Sequence, residues 1–466
     1  MRLIGLTALL LATPALAAPA DNPWHAKAKE MLKHAVEVPT VAGRGRVPEL
    51  ARYFADQFRA AGWGDGDIRI VPYEGNPGDK TAALIVRWPA MARMAPQKPI
   101  MLMAHLDVVE AKPSDWSMDP FTFVEKDGYY YGRGVYDIKQ GAAAITAALL
   151  ELKAKGFKPR RDIVVLFTGD EETAGNGADL AATQWPEFKG LDFGLNSDGG
   201  GGGFTADGRD LGFSIDTAEK TYADYQFTVR DSGGHSSKPK PFNPITELSS
   251  ALVRLAAYRF EPAMNETTRS YFQERQKVEK GPLGDAMRAW LANPADGKAA
   301  DFIEADPGEV GLTRTRCVAT MLNGGHAPNA LPQLAQALVN CRILPGVSPD
   351  AIRDELQKIA GDKVGVTRLD KNETSFASPL RPDIMKAYAD SIHTMFPDAP
   401  IIPTMAAGAS DARPFRVAGT PVYGVDGLWI VVPQDMRAHG RDERIPIKAF
   451  DDNVDHWVRM ITAVAK

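Results

Sequence analysis

At 466 residues the chain exceeds what one hydrophobic core usually supports, so two domains are expected, each with ample apolar material to bury. Its 54 Lys+Arg against 59 Asp+Glu give a net charge of -5, and no long basic run occurs, which argues against nucleic acid as a partner. Two cysteines, Cys317 and Cys341, make neither a disulfide framework nor a thiolate metal site, so a zinc-like ion here would have to use histidine and carboxylate.

The N-terminus carries Arg2, an apolar stretch from Leu3 to Leu11 and the small-residue segment Pro14-Ala15-Leu16-Ala17-Ala18, the pattern of a cleaved secretory signal over residues 1–18. The apolar segment is too short to span a bilayer core of about 30 Å, and no later segment is long and apolar enough. A periplasmic or secreted protein with no stable membrane span after cleavage is expected. Apolar residues at helical spacing predict covering helices over Pro23 to Val38 and Pro48 to Ala61, the second through Leu50, Phe54, Phe58 and Ala61. Strand-like runs then alternate with helices: Ala82 to Trp88, Ile100 to Ala104, the helix Ala142 to Ala154, the strand Ile163 to Phe167 and a helix around Ala178 to Thr183. Strands apolar on both faces and alternating with helices indicate an α/β fold with a mostly parallel, helix-covered sheet, whose function gathers beyond the carboxyl ends of the strands.

The glycine run Gly199 to Gly203 breaks this pattern, and a second domain is expected to begin near residue 217. It opens with the alternating strand Tyr225 to Val229 and a helix starting at Asn243-Pro244, with Ile245, Leu248, Leu252 and Leu255 on one face. Residues 260–310 are charged, helix-prone and poor in strand formers, the mark of an insertion. Strands over Cys317 to Leu322 and Ala335 to Leu344 and the helix Asp350 to Ala360 complete a small α+β unit, and the chain returns to the first domain near Ser378. If the two cysteines lie on paired strands of a hairpin turning near Asn329 they could oxidise; two separate buried thiols are the alternative.

Acidic and imidazole groups recur at the ends of these strands. His105 and Asp107 lie two residues apart, so in an extended chain they share a side and one can bind metal while the other orients it. Asp137 follows the bend-permitting run Gly132-Arg133-Gly134-Val135-Tyr136, and its two oxygens can bridge two cations about 3.5 to 4 Å apart. A phosphate loop is the rival reading of Gly132-x-Gly134, but Asp137 stands where the third glycine of a dinucleotide fingerprint would be. In the adjacent pair Glu171-Glu172, one carboxylate can bind metal while the other takes a proton from water. Asp198 closes the run Phe193 to Asp198, and His439 sits in the polar loop Ala438 to Glu443, where an imidazole has no core to fill. His25, His34, His393 and His456 fall on predicted helices with nothing acidic organised about them and are expected to be structural or solvated.

With His105-Leu106-Asp107, Gly132-Arg133-Gly134-Val135-Tyr136-Asp137, Glu171-Glu172, Asp198 and His439-Gly440-x-Asp442-Glu443 in this order, the chain resembles the co-catalytic zinc metallopeptidases that include glutamate carboxypeptidase, carnosinase, aminoacylase and succinyl-diaminopimelate desuccinylase. The resemblance spans nearly the whole mature chain. It implies a catalytic domain over residues 19–216 and 376–466, split by a ferredoxin-like lid or dimerisation domain over 217–375, and a homodimer through that lid. It further implies two Zn2+, with Co2+ or Mn2+ as other fitting cations. His105, Asp137 and Asp198 would hold one ion and Asp137, Glu172 and His439 the other, with Asp107 orienting His105 and Glu171 as general base.

In the lid, Ser232-Gly233-Gly234-His235-Ser236-Ser237 resembles the family's histidine motif, so His235 would donate to the oxyanion, across a dimer interface in one version. Asn323-Gly324-Gly325 with Asn329-Ala330-Leu331-Pro332 resembles the segment offering Asn329 to substrate, and Arg342 in Asn340-Cys341-Arg342 would fork onto a substrate carboxylate. Gly408-Ala409-Ser410-Asp411-Ala412-Arg413 resembles a loop near that carboxylate, with Gly408 and Ser410 as contacts, but carries Ala409 in place of the commoner second glycine. The implied activity is hydrolysis of an amide beside a free carboxylate, as a carboxypeptidase or dipeptidase, with an N-acyl-amino-acid amidohydrolase as the alternative. A binding protein on the same scaffold would have lost a ligand or the base, and none is missing.

Overall fold

The computed structural model describes residues 22–91 and 97–466, so the expected signal segment lies outside the described residues. Eight strands form the main sheet, in the order Ile68–Glu74, Lys80–Trp88, Ile163–Thr168, Ile100–His105, Phe193–Thr205, Val422–Val432, Asp210–Glu219 and Ile401–Ala406. Its centre is parallel: Ile100–His105 runs parallel to both Ile163–Thr168 and Phe193–Thr205, and the latter runs parallel to Val422–Val432. The strand Lys80–Trp88 joins antiparallel, and so does the outermost strand Ile68–Glu74.

Alternation of side chains sends Ile100, Leu102 and Ala104 into one core and Met101 and Met103 into another, on opposite faces of the sheet. Helices Pro23–Glu37, Lys139–Ala154 and Ile447–Ala465 pack over the first face. The middle one is buried almost throughout, because Ala142, Ala143, Ala144, Ala147 and Ala148 let its neighbours approach from several sides. Helices Asn176–Thr183 and Ala412–Val417 help cover the second face through Ala178, Ala181, Ala412 and Phe415. This is the helix-covered, largely parallel sheet expected from the apolar runs.

A separate four-stranded antiparallel sheet has the order Arg316–Gly324, Leu334–Ile343, Thr221–Arg230, Gly365–Arg368. With helices Pro244–Ala257 and Pro349–Ala360 packed on it, the connectivity strand-helix-strand-strand-helix-strand is ferredoxin-like. Asn243 caps the first of these helices by accepting the Ile245 N–H, and Ser348 caps the second by accepting that of Asp350. Between the first helix and strand Arg316–Gly324 come three further helices, Glu266–Val278, Gly281–Ala292 and Gly297–Glu304, with a core of their own around Phe272, Met287, Trp290 and Ile303. Cys317 and Cys341 face one another across the hairpin with Cα atoms 4.1 Å apart and are disulfide-bonded, which decides between the two expected alternatives.

Two expectations need correction. The glycine run does not break the sheet pattern; Gly199 to Gly203 lie inside strand Phe193–Thr205, and Asp198 sits mid-strand, not at its end. Both neighbours press so closely that side chains are excluded: against Val422–Val432 a Cβ on Gly200 would lie 2.8 Å from the Gly424 carbonyl oxygen and one on Gly201 2.7 Å from that of Leu428, with φ of 86° and 92°, and against Asp210–Glu219 one on Gly202 would strike the Phe213 ring. A strand without side chains has no hydropathy alternation to read. Secondly, His25 is not free of acidic partners, because helix Ile447–Ala465 lays Asp455 and Asp451 beside it, 3.0 and 3.9 Å away. His34 stacks on Tyr53 and His456 is wholly buried, so these two are structural, while His393 is exposed beside the Ala399 carbonyl.

Candidate metal centre

Strand Ile100–His105 delivers His105, buried and pointing at Asp137, with Nε2 to Oδ1 3.2 Å. The other ring nitrogen lies 3.0 Å from the Asp107 carbonyl oxygen and 3.5 Å from its carboxylate, the second partner that fixes an imidazole's orientation. The Asp107 carboxylate has a further task. It accepts the backbone N–H of Glu171 at 3.2 Å and of Glu172 at 3.0 Å, tying the loop after strand Ile163–Thr168 to the loop after strand Ile100–His105.

His439 comes from the far end of the chain, in the left-handed region with φ of 59°, and its Nε2 lies 3.2 Å from Asp137 Oδ2 and 3.0 Å from Glu172 Oε2. Asp137 thus faces one histidine with each oxygen. Potential ligand atoms gather in three groups, each with all atoms within 4.8 Å: His105, Asp137 and Asp198; Asp137, Glu172 and His439; and His105, Glu171 and Glu172. The first two are the two ligand sets expected from the sequence, joined through Asp137.

Electrostatics at the centre fit divalent cations. Burial, followed by the negative charge of Asp137, pushes Asp198 up to about 7, and burial with the same neighbour pushes Glu172 up to about 7. Burial opposes a charge on His105, but the carboxylates of Asp107 and Asp137 outweigh it and hold its pKa well above the usual histidine value. The hydrogen bond to Asp137 and the charge of Glu172 raise His439 to about 9. Burial also opposes charge on Asp137, yet its two histidine partners pull its pKa below the usual carboxylate range. Carboxylates this crowded hold protons until positive charge is supplied, and two imidazoles with three carboxylates are a donor set suited to zinc-like ions. Glu171 has its proton affinity raised well above the usual carboxylate range, by burial and then by Asp198, Asp411 and Glu172, which suits a group that takes a proton from water and returns it.

Sequence reasoning named Glu443 within a motif but gave it no role. It is fully buried, pairs with Arg133 at 2.6 Å and accepts the backbone N–H groups of Gly134, Tyr136 and Asp137 at 3.1, 2.8 and 3.0 Å, so it shapes the loop presenting Asp137. Asp170 directly precedes the Glu171-Glu172 pair and belongs to no motif of its own. It accepts from Tyr73 Oη, Asn176 N and Gly177 N, fixing the other side of the Glu171-Glu172 loop against helix Asn176–Thr183. Asp411 is buried and accepts a hydrogen bond from the Thr168 hydroxyl. An acidic residue with backbone donors cannot be told from a solvated one by sequence alone.

The residues expected to meet substrate divide into two groups. Gly408 and Ser410 line a pocket of about 200 Å³ together with Asp198, and the Ser410 hydroxyl donates to Glu219, which pairs with Arg416 at 3.1 Å. Arg342 donates to the Ala407 carbonyl at 3.2 Å and stacks on Tyr222, next to that pocket. His235 and Asn329 are brought to each other: the Ser236 N–H donates to the Asn329 carbonyl, and Gly234–His235 pairs with Ala330–Leu331. Both are exposed, and among the described residues no hydrogen bond or ion pair links either to the metal centre.

Residues 101–463 match the model of peptidase family M20/M25/M40. The chain is 29% identical over 375 residues to the N-fatty-acyl-amino acid synthase/hydrolase PM20D1 of Xenopus tropicalis, covering 78% of this chain and 72% of the relative. It is 26% identical over 420 residues to aminoacylase-1 of Sus scrofa, covering 89% of each. Its fold is that of the M20 family metallo-carboxypeptidase Sso-CP2 from Sulfolobus solfataricus, with a TM-score of 0.67 at 17% identity over 93% of this chain and 98% of the other. Human carnosine dipeptidase 1 gives 0.61 at 15% identity over 95% and 97%. With a model matched along three quarters of its length and the ligand residues in family order, the chain belongs to the M20/M25/M40 peptidase family and is a metallohydrolase of that family.

Proposed function

We propose that the protein is a two-metal amidohydrolase that cleaves the amide of N-acyl amino acids, with Glu171 as the general base. The observation that carries this reading is the convergence of two three-residue ligand sets on Asp137 with Glu171 against them. His105, Asp137 and Asp198 would hold one divalent cation and Asp137, Glu172 and His439 the other, zinc being the ion best suited to these donors. Bound there, such ions supply Lewis acidity, acidifying a water molecule and offsetting charge on the carbonyl oxygen. Glu171 takes the proton from that water and passes it to the departing amine. Asp107 holds His105 and the Glu171-Glu172 loop in one frame, so that base and ligands keep their spacing.

The amino-acid half of the substrate fits the side bearing Gly408, Ser410 and Arg342, where a guanidinium can fork onto its carboxylate. Short peptides with a free C-terminus satisfy the same contacts and are the second reading, favoured by the structural likeness to a metallo-carboxypeptidase. The names of the relatives support the acyl reading: an N-fatty-acyl-amino acid synthase/hydrolase and an aminoacylase. Residues 19–216 and 376–466 would form the catalytic domain and 217–375 the lid.

Two further assignments belong to this proposal. The lid pairs two copies into a homodimer, supported by the edge strand Arg316–Gly324, which leaves Val318, Met321 and Leu322 about 60% exposed, at 60%, 59% and 61%. Across such an interface His235 could serve the neighbouring site. The protein is exported to the periplasm or beyond, supported by the Cys317–Cys341 disulfide, a bond that persists in oxidising compartments. No helix among the described residues is long and apolar enough to cross a membrane.

The test is product analysis of the zinc-loaded protein on N-acyl amino acids and on dipeptides, alongside Glu171→Gln. Release of free amino acid from acyl substrates, abolished in the variant while its metal content stays the same, is the expected result. Full turnover in Glu171→Gln would discard the proposed base. Cleavage of dipeptides with no activity on any acyl amino acid would replace the first reading with the second.

A further inference from the structure

Two features of the chain have no part in the chemistry above: the side-chain-free strand Gly199 to Gly203 and the helical insertion. Both border one groove of about 750 Å³, which begins at Asp137 and Asp198. Its floor is the glycine strand, and its far walls are Leu211, Ile402, Leu428, Ile430, Val432 and Met436. Its roof is helix Glu266–Val278, which packs against strand Ile401–Ala406 and contributes Tyr271 and Arg275.

Away from its metal end, the polar groups around this groove are already engaged. Tyr271 Oη donates to Glu309 at 2.9 Å and Arg275 donates to the same carboxylate at 2.9 Å, so both roof residues have their polar ends committed and can offer a ring face and an aliphatic stem. Asp426 accepts from Gln140, Asn453 and Trp457, and Asp216 accepts from Thr404 and the Gly200 N–H. The floor's backbone is paired on one side with Val422–Val432 and on the other with Asp210–Glu219. A peptide lying here would lose hydration at its amides with few partners to replace it, whereas a hydrocarbon chain has nothing to satisfy.

We propose that this groove is the acyl-chain subsite, taking a medium to long saturated chain whose carbonyl lies at the Asp137–Asp198 end, with the insertion serving as its roof. The inference rests on the acyl-amino-acid reading and deepens it. Asp198, Gly199 and Asp216 border both this groove and the smaller pocket of Gly408 and Ser410, so an amphiphile can lie across the metal centre with its chain on one side and its amino acid on the other. The glycines give the groove a floor of bare backbone, and a Cβ on Gly200, Gly201 or Gly202 would meet a neighbouring strand or the Phe213 ring.

The experiment compares kcat/KM on N-acetyl, N-octanoyl and N-dodecanoyl derivatives of one amino acid. Over the first few carbons the value is expected to rise about fourfold per methylene, the transfer preference of a buried CH₂. Free dodecanoate should compete with substrate and acetate should not. In Ile402→Trp, which intrudes on the wall, the dodecanoyl-to-acetyl ratio should fall by about tenfold or more. Tyr271→Ala, which thins the roof, should lower the same ratio severalfold and serves if the tryptophan variant does not fold.

A flat or falling profile with good acetyl turnover overturns the groove assignment and leaves the amidohydrolase standing. An unchanged ratio in both variants also overturns it. Activity on dipeptides with none on any acyl substrate removes the reading beneath it and this inference together.

Discussion

Removing the Glu443 carboxylate would strip the Arg133 guanidinium and the N–H groups of Gly134, Tyr136 and Asp137 of their shared acceptor. In Glu443→Gln a neutral amide would have to face donors on both sides, leaving Arg133 buried without its counter-charge. The expected loss of stability is about 3 kcal/mol, and metal affinity should weaken roughly 10- to 100-fold because Asp137 loses its frame. Urea unfolding and metal titration measure the two effects, and unaltered affinity would mean that the Asp137 loop holds itself. His456 gives a pH dependence away from the metal centre. Burial, then the charge of Arg459, lowers it to about 3, with Nε2 2.8 Å from the Val425 carbonyl and Nδ1 2.9 Å from the Ser391 hydroxyl. The unfolded chain protonates this histidine near 6.5 while the folded one does not, so its contribution is full above pH 6.5 and is lost as pH falls toward 3. The slope from this group is at most about 1.4 kcal/mol per pH unit. His456→Gln should be less stable at pH 7 and flatter across that window in urea titrations at several pH values; an identical slope would assign the acid sensitivity elsewhere.

The glycine strand makes the element-scale case, since three of its glycines have positive φ and no space while Gly208, outside the strand, has positive φ and space to spare. Gly200→Ala combines a φ of 86° with a Cβ 2.8 Å from the Gly424 oxygen and 3.0 Å from the Asp426 nitrogen, so the cost is expected at about 3 kcal/mol or more. Gly208→Ala, with φ of 85° and nothing within 4 Å, should cost only the conformational part, about 1 kcal/mol. Thermal unfolding of the pair separates crowding from strain, and equal losses would show that the sheet yields to a methyl group. The same strand marks where sequence reading fails. Helices such as Val47–Ala60 were legible because Leu50, Phe54 and Phe58 fall on one buried face, and strands Ile100–His105 and Ile163–Thr168 because they are apolar throughout. Phe193–Thr205 has no such signal beyond Ser197, since its pairing is dictated by two neighbours that touch bare backbone.

At the scale of the whole molecule, the metal ligands were legible because each motif is local, while their meeting depends on a fold that brings His439 to Glu172 across 267 residues of sequence. The supporting carboxylates Asp170, Asp411 and Glu443 were less so, because their partners are backbone N–H groups, distant hydroxyls or, for Glu443, an arginine 310 residues away, and none of these leaves a mark in sequence. His235 raises the remaining question, for its motif is present yet among the described residues its imidazole hydrogen-bonds only within the lid, to Ser237. If the lid strand Arg316–Gly324 pairs with its copy in a second chain, charges placed on its exposed apolar side chains should separate the copies. Met321→Lys with Leu322→Asp is expected to halve the mass measured by sedimentation while leaving the fold, the metals and the disulfide in place. Should His235 act on the opposite site, that monomer must lose turnover to the same degree as dimeric His235→Ala, about 10²-fold or more for a lost oxyanion donor. Combining the changes should then cost nothing further. A monomer of full activity that still suffers from His235→Ala would put the histidine in its own chain's site, reached by closure of the lid, and an unsubstituted protein that sediments with the mass of one chain at every concentration would dispose of the dimer itself.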